Sequence, residues 1–229
     1  MVGANITVET SRRPLKRHEL REIIAGGESS TVEFKRKFTS AEKFAREIIA
    51  FANTSGGYLI VGVDDNGKIV GVESEKEQVE LIGIAQHSIT PWLDVEVDIV
   101  EIEYVDVVVV HVPNSAHKPH RLISDDPNER PHERKAYIRQ GEHSVTASKE
   151  MTRILAGQSP DAPPIQLTIG DRERRLFAYL ERYGSASIND FARLVNISRR
   201  RASQILVKLV RAGVLNIHHD GSNDYYTLV

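Results

Sequence analysis

The stretch FANTSGGYLIVGVDDNGKIVG, residues 51–71, contains the change from helix to sheet on which the fold depends. The glycine pair at 56–57 ends the helical pattern that precedes it, since glycine readily leaves the helical conformation. Residues 58–63 and 68–72 are predicted as two strands, joined by Asp-Asn-Gly at 65–67. An Asn-Gly pair favours a tight turn because both residues tolerate positive φ. The stretch therefore predicts a helix followed by a β-hairpin.

Helices and strands are predicted on both sides of that stretch. Residues 41–53 repeat apolar side chains at helical spacing behind an N-cap at Ser40, and residues 107–110 are apolar enough for a central strand. The other predicted helices are residues 17–25, 75–89 and 149–155, and the other predicted strands are 31–38, 95–104, 105–112 and 135–139. A loop rich in proline and histidine is expected over residues 113–133. The pattern predicts a mixed α/β domain.

A proline-rich segment, QSPDAPPIQLTI at residues 158–169, separates this part from a compact helical tail. Proline interrupts helices because it lacks the amide donor that a helix needs. We therefore predict a lead-in with a short helix over residues 1–26, a first domain over 27–157, a linker over 158–170 and a second domain over 171–229.

The tail begins with an amphipathic helix predicted over residues 171–183. Ser187 and Asp190 form a capping-box pattern for a second helix, and Ser198 is a predicted N-cap for a third, basic helix. Residues 214–228 then predict a hairpin. This order of elements resembles the winged helix-turn-helix domain of DNA-binding regulators.

By that resemblance the third helix would enter the major groove of duplex DNA. The side chains that would contact bases or phosphates from its first two turns are Arg199, Arg200, Arg201, Ser203 and Gln204. Those that would contact the DNA backbone are Lys208, Arg211 and His219. The alternative is that the arginines are a solvated helix start and that the domain docks on a protein or forms dimers.

Composition limits the function further. The chain has no cysteine, which excludes disulfides and thiolate metal sites, and no apolar run near the roughly 20 residues of a membrane span. The first twenty residues lack the apolar core of a secretion signal, so a soluble, cytoplasmic protein is expected. The net charge is −2, yet residues 171–229 hold ten basic and six acidic side chains against twenty and twenty-six before them. Basic charge is concentrated in the tail. Proteins that coat nucleic acid indiscriminately are instead uniformly basic.

Four charged residues stand out in the first domain. Strand periodicity places Glu33 and Lys35 on one face, with Glu28 and Asp65 at strand or turn ends nearby. Carboxylates beside a lysine can hold a divalent cation against a phosphate. The alternative is a structural group of ion pairs at a sheet edge.

Three motifs in this part of the chain resemble a known family. They are ESSTVEFKR at residues 28–36, FANTSGGYLIVGVDDNGKIVG at 51–71 and KAYIRQG at 135–141. Together they resemble the Schlafen-type AlbA-like domain, also described as a divergent AAA domain, over about residues 27–156. The resemblance implies a mixed sheet with flanking helices and nucleic-acid binding, with Lys35, Arg36 and Lys37 as candidate contacts.

Some animal Schlafen proteins are endonucleases that cut tRNA or single strands with three acidic residues. The resemblance places those residues at Glu28, Glu33 and Asp65, which would hold Mg²⁺ or Mn²⁺ while Lys35 steadies the phosphate. Those nucleases pair two such domains, whereas these motifs occur once here, so an equivalent clamp requires a homodimer. They also carry a Cys/His zinc site, which a chain without cysteine cannot form.

Other site patterns are not supported. Residues 62–68 fit part of a phosphate-loop motif, but Ile69 replaces its Ser or Thr and no helix follows the turn. The spacing of zinc-binding motifs is absent among the histidines of the predicted loop region, His111, His117, His120 and His132. Their loop, which also holds Lys118, Arg121 and Arg130, is expected to be mobile and to contact a phosphate backbone.

The sequence thus predicts an α+β protein, with an N-terminal mixed α/β AlbA-like domain and a C-terminal winged helix-turn-helix domain. The leading functional hypothesis is a DNA-binding transcriptional regulator that forms a homodimer and uses no ATP. The alternatives are a metal-dependent endonuclease and an adaptor whose winged helix binds another protein.

Overall fold

The computed structural model describes residues 13–124, 126, 128–220 and 223–229, so most of the predicted lead-in lies outside the described residues. Its helices are α1 Arg17–Ala25, α2 Ala41–Asn53, α3 Glu75–His87, α4 Lys149–Ala156, α5 Asp171–Tyr183, α6 Ile188–Leu194 and α7 Arg199–Arg211. Its strands are β1 Val32–Lys35, β2 Gly57–Val61, β3 Ile89–Thr90, β4 Glu96–Ile102, β5 Val105–Val112, β6 Arg121–Leu122, β7 Tyr137–Gln140, β8 His143–Thr146, β9 Ala186–Ser187, β10 Leu215–Asp220 and β11 Asn223–Leu228. No described helix is both long and apolar enough to cross a bilayer.

A four-stranded mixed sheet organises the first part of the chain. The strand order is β1-β2-β5-β4, with β1 parallel to β2 and the other pairs antiparallel. Helix α2 makes the crossover between the two parallel strands, as parallel pairing requires. The central position predicted for the Val107–Val110 run is confirmed, because β5 has neighbours on both sides.

Helices cover both faces of this sheet. Phe44, Ile48 and other apolar residues of α2 and α3 pack on one face, against side chains that include Leu59 and Val110. On the opposite face, α1 contributes Leu20 to a second core around Phe34. Alternate residues of each strand point to opposite faces, so both sets of strand side chains are buried.

The predicted hairpin is only partly correct. The turn forms, since the Asp64 amide donates to the Lys68 carbonyl oxygen at 2.9 Å and the Gly67 amide to that of Asp64 at 2.8 Å. Residues 68–72, however, make a single β-bridge, between Ile69 and Val63, and no strand. The reason is tertiary. Strand β2 already has β1 on one edge and β5 on the other, so no edge remains for a hairpin partner.

The long loop is held in place by short strands that the sequence pattern did not predict. Strand β6 lies inside the predicted loop and pairs with β3, and the predicted strand near residues 135–139 continues into a second small hairpin, β7 with β8. Buried Asn53 donates to the carbonyl oxygens of His120 and Tyr137, both at 2.9 Å, and accepts from the His120 amide at 2.8 Å. One amide side chain therefore ties the end of α2 to both segments.

The tail has a core of its own. Helices α5, α6 and α7 pack with a three-stranded sheet, ordered β10-β11-β9, around residues that include Leu176, Phe191 and Tyr226. Both predicted caps are confirmed: Ser187 and Asp190 form the capping box of α6, and Ser198 accepts from the Arg201 amide at α7. The predicted order of helices and hairpin is present, while the assignment to the winged-helix class stays a prediction.

Candidate nucleic-acid interface

The first turn of α7 is a concentrated positive surface. Arg199, Arg200 and Arg201 are all exposed, and none has an ion-pair partner within the described part of the chain. The turn contains no acidic residue. Because the N-terminal end of a helix already carries partial positive charge, three adjacent cations there repel both the helix end and one another. An external anion would relieve that repulsion.

The middle of α7 is occupied by another part of the molecule. Ser203 is buried, donates to the Glu150 carboxylate at 2.7 Å and accepts from Arg153 at 3.0 Å, both of which belong to α4. Val207, one turn later, is also buried. The prediction that Ser203 reads bases is therefore corrected, because its hydroxyl faces α4. Gln204, the next residue, is exposed.

Arg211, at the end of α7, is likewise engaged. Its guanidinium donates to the carbonyl oxygen of Pro163 at 3.2 Å and reaches that of Gly157 at 3.5 Å. A Cβ on Gly157 would lie 1.9 Å from the Arg211 Nε, so only glycine leaves room for this side chain. The predicted role of Arg211 as a DNA-backbone contact is corrected, whereas Lys208 remains exposed.

The β10–β11 hairpin also contacts the first part of the chain. The His219 ring pairs with Asp224 at 2.8 Å, and its carbonyl oxygen accepts from Gln140. Asp224 in turn accepts from Ser148, at the start of α4. The ring that was predicted to touch DNA is thus held inside an interface of the protein.

A second positive surface lies beside β1 and α2. It is a groove of about 440 Å³, which we call the basic groove. Its charged lining residues are Lys35, Lys37, Lys43, Arg46 and Glu47. Lys37 and Lys43 are exposed and have no ion-pair partner among the described residues, while Arg46 pairs with Glu42 and lies 5.7 Å from the Tyr137 ring centre. Arg36, outside the groove, is 3.7 Å from the Asp64 carboxylate.

A buried ion network supports the floor of this groove. The fully buried side chain of Arg139 lies 2.8 Å from Glu33 and 3.3 Å from Glu47, and its guanidinium carbon lies 4.6 Å from the Phe51 ring centre. It also donates to the carbonyl oxygen of Ser29 at 2.8 Å. Two carboxylates from different elements therefore share one cation, which fixes β7 against β1 and α2.

The network perturbs the groups around it. Burial raises the pKa of Glu47, against the hydrogen bond from Ser144 and assisted by the nearby Glu33 charge. Burial disfavours the ammonium of Lys35, but its hydrogen bond to Glu33 and the surrounding carboxylate charges outweigh that effect and raise the pKa of Lys35. Lys35 is therefore a firmly held cation that faces both the network and the groove.

Glu28 and Glu33 both lie near Lys35, but the three predicted carboxylates do not form a group that could hold a metal ion. One oxygen of Glu33 meets Lys35 and the other meets Arg139, while a Glu28 oxygen accepts from the Phe34 amide at 2.8 Å. Asp65 is exposed in the turn after β2. Within the described residues no group of three His, Asp or Glu side chains could hold a metal ion. The donor set therefore does not fit Mg²⁺ or Mn²⁺, and the shared face predicted for Glu33 and Lys35 forms an ion pair instead.

Sequence reasoning missed several residues of this region, namely Glu47, Lys43, Arg46 and Arg139. The sequence could most easily have suggested Arg139, because this charged residue follows the apolar Tyr137 and Ile138 in strand β7. A charge in a buried strand requires a partner, and that requirement could have suggested Glu33.

The histidine loop is held rather than free. The buried His120 ring contacts the Pro91 carbonyl oxygen at 2.8 Å and the Ser115 hydroxyl at 2.6 Å. Lys118 donates to the Thr54 carbonyl oxygen and Arg121 to that of Arg134. The expectation that these two cations contact a phosphate backbone is corrected, because both donate to backbone carbonyl oxygens of the protein.

Comparison with known proteins places the first part of the chain in context. A family model described as Schlafen, AlbA_2 matches residues 28–148. The DIP2311 protein from Corynebacterium diphtheriae is 19% identical with a TM-score of 0.46, over 77% of this chain and 32% of that protein. The N-terminal domain of a RecG-related protein from Nitrosomonas europaea is 23% identical with a TM-score of 0.42, over 58% of this chain and 91% of that domain. The chain thus spans about a third of the length of the first of these.

Proposed function

Since the chain belongs to the Schlafen AlbA_2 family, over residues 28–148, we propose that it is a nucleic-acid-binding protein whose tail docks on duplex DNA. The observation that carries the proposal is the cluster of Arg199, Arg200 and Arg201, which are exposed and lack internal counter-charges among the described residues. A phosphate backbone supplies the negative charge that this helix end lacks.

The docking of α4 on α7 defines how the tail would meet DNA. Ser203 and Val207 are covered, so contact falls to the arginines, to Gln204 and to Lys208. Arginines at a helix start bind phosphates or guanine edges, and a glutamine side chain pairs with adenine. We propose strong backbone contact with limited base readout, as a transcriptional regulator with a short recognition element would have.

The basic groove is the proposed second nucleic-acid surface. Lys37 and Lys43 are exposed and have no described ion-pair partner, and Lys35 is held at the groove floor by Glu33. A groove lined by lysines suits the phosphates of a nucleic-acid backbone. Nucleic acid bound at both surfaces would gain affinity through the higher effective concentration of the second site.

The decisive experiment measures affinity for a labelled DNA duplex by fluorescence anisotropy across a series of salt concentrations. The variant Arg199→Gln/Arg200→Gln removes two cations and should reduce the slope of log K against log salt by about 2, since each phosphate contact contributes about 0.9. Affinity at low salt should fall about tenfold or more.

The matched control is Arg172→Gln/Arg174→Gln, which removes two exposed cations from α5 in the same tail. This control should retain most of the affinity. Equal losses of affinity in both variants would mean that only the total positive charge of the tail matters. The absence of duplex binding at low salt would reject the proposal.

The two alternative hypotheses, an endonuclease and an adaptor, are tested by separate experiments. The endonuclease hypothesis stays a prediction, which incubation of labelled tRNA or single-stranded DNA with Mn²⁺ tests: no cleavage, or cleavage that survives Glu33→Ala, removes it. The adaptor hypothesis predicts that a protein partner co-purifies while DNA does not. Homodimer formation also stays a prediction, which sedimentation of the full chain measures.

A further inference from the structure

A cavity of about 650 Å³ lies between α7, the end of α4, the proline-rich segment and the start of α5. This volume is within the range of about 300–1,000 Å³ that small-molecule sites occupy. The residues around it come from segments on both sides of the α4–α7 contact. A molecule bound there would touch both parts of the chain at once.

The cavity is strongly cationic. Arg153, Arg201, Lys208 and Arg211 line it, and among the residues that the structure describes Glu173 is the one acidic side chain in the lining. One oxygen of Glu173 accepts from the Gly170 amide at 2.9 Å, so this carboxylate is oriented toward the start of α5. Arg201 and Lys208 have no ion-pair partner among the described residues. Three cations therefore face the cavity without a carboxylate of their own.

Arg211 has a donor that the protein does not satisfy. Its Nε is buried and has no hydrogen-bond partner, although its terminal nitrogen reaches the carbonyl oxygens of Gly157 and Pro163. The close approach to Gly157 restrains the guanidinium in this position. This nitrogen lies against Gly157 and out of reach of a ligand, while the guanidinium as a whole adds to the cavity a positive charge that no carboxylate among the described residues offsets.

The rest of the lining is apolar. Leu167 from the proline-rich segment, with Ile205 and Val207 from α7, forms a wall beside the cations. Inorganic phosphate would leave that wall uncovered, whereas a phosphate ester with a flat organic part would cover it. Charge on one side and apolar surface on the other match the two ends of a nucleotide.

We propose that this cavity binds a small organic phosphate of nucleotide size. Its phosphate oxygens lie among Arg201, Lys208 and Arg211, and its organic part lies against Leu167 and Val207. Because the ligand bridges the two sides of the α4–α7 contact, it stabilises that contact. Under the proposed DNA-binding function, it also uses Arg201 and thereby lowers affinity for DNA, by the reciprocity of linked equilibria.

The test is isothermal titration of the full chain with ADP and, separately, with pyrophosphate, at low salt without added metal. ADP should bind at one site, and pyrophosphate about tenfold more weakly, because it leaves the apolar wall uncovered. Arg201→Gln and Lys208→Gln should each weaken ADP binding about tenfold, since each removes a charge-assisted hydrogen bond. Thermal denaturation without ligand checks that both variants are folded.

The matched control is Arg200→Gln, which removes an exposed arginine adjacent to Arg201 that does not line the cavity. ADP affinity should be unchanged in it. The proposal is rejected if ADP does not bind at millimolar concentration, or if all three variants bind it equally. These outcomes are independent of DNA binding, so a chain that binds ADP but no duplex would reject the proposed function and keep the cavity assignment.

Discussion

Ser203 of α7 donates a hydrogen bond to Glu150 of α4, with 2.7 Å between the two oxygens. This bond belongs to the contact between α7, in the tail, and α4, in the first part of the chain. It covers the middle of the helix that was predicted to read DNA, and it leaves the arginines at the helix start exposed. The contact therefore decides which residues of α7 can meet a partner.

Replacing Ser203 tests that arrangement. Ser203→Ala should not weaken duplex binding by more than about twofold, because the hydroxyl faces α4 and not solvent. It should lower the free energy of unfolding by about 1 kcal/mol, since Glu150 loses a buried donor. Gln204→Ala, one residue further on the exposed side, should weaken duplex binding about fivefold or more. If the Ser203 variant loses the affinity instead, α4 must leave α7 when DNA binds.

Replacing Arg139 tests the buried ion network. Arg139→Met should lower the free energy of unfolding by about 3–5 kcal/mol, because Glu33 and Glu47 remain buried without their shared cation. Urea denaturation measures this difference. Arg46→Met, which removes an exposed arginine paired with Glu42, should change stability by less than about 0.5 kcal/mol. Similar losses in both variants would contradict the assigned role of Arg139.

His120 should make stability depend on pH. Burial lowers the pKa of His120, against its hydrogen bond to the Pro91 carbonyl oxygen, so the folded protein holds the ring neutral. Below pH 6.5, the ordinary pKa of histidine, the unfolded chain takes up a proton that the folded chain resists. Stability should therefore fall as the pH drops from 7.5 to 5.5. Urea denaturation at several pH values measures the slope.

The control for that slope is a pair of variants. His120→Gln should be less stable than the parent at pH 7.5 and should show a smaller loss on acidification. His143→Gln, which replaces a largely exposed ring, should keep the parent slope. An unchanged slope in His120→Gln would assign the pH dependence to other groups.

The basic groove can be tested separately from the tail. Lys37→Gln/Lys43→Gln should reduce the salt slope of nucleic-acid binding by about 2, because it removes two exposed cations with no described ion-pair partner. Lys68→Gln/Lys76→Gln removes two exposed lysines outside the groove and should leave that slope unchanged. A groove variant that binds like its control would restrict the interface to α7.

Local signals predicted much of the secondary structure. The bounds of α1, α2, α5 and β5 match the expected ranges, and the Ser187 and Ser198 caps form as expected. Helical spacing, capping side chains and runs of β-branched residues act over a few neighbouring residues, so one chain is enough to read them. The hairpin partner at residues 68–72 failed because β5, far along the chain, occupies the edge that it needed.

The residues of the candidate sites also fall into two groups, those that the sequence predicted and those that only the tertiary structure shows. Sequence was sufficient to find the positive start of α7 and the shared face of Glu33 and Lys35, since both follow from residue order within one element. It could not show that Arg139, from a distant strand, pairs with Glu33, one of the expected metal ligands, or that α4 covers Ser203. Those facts depend on which surfaces meet when separate elements pack, and burial assigns partners to charged and polar groups across long separations in the chain.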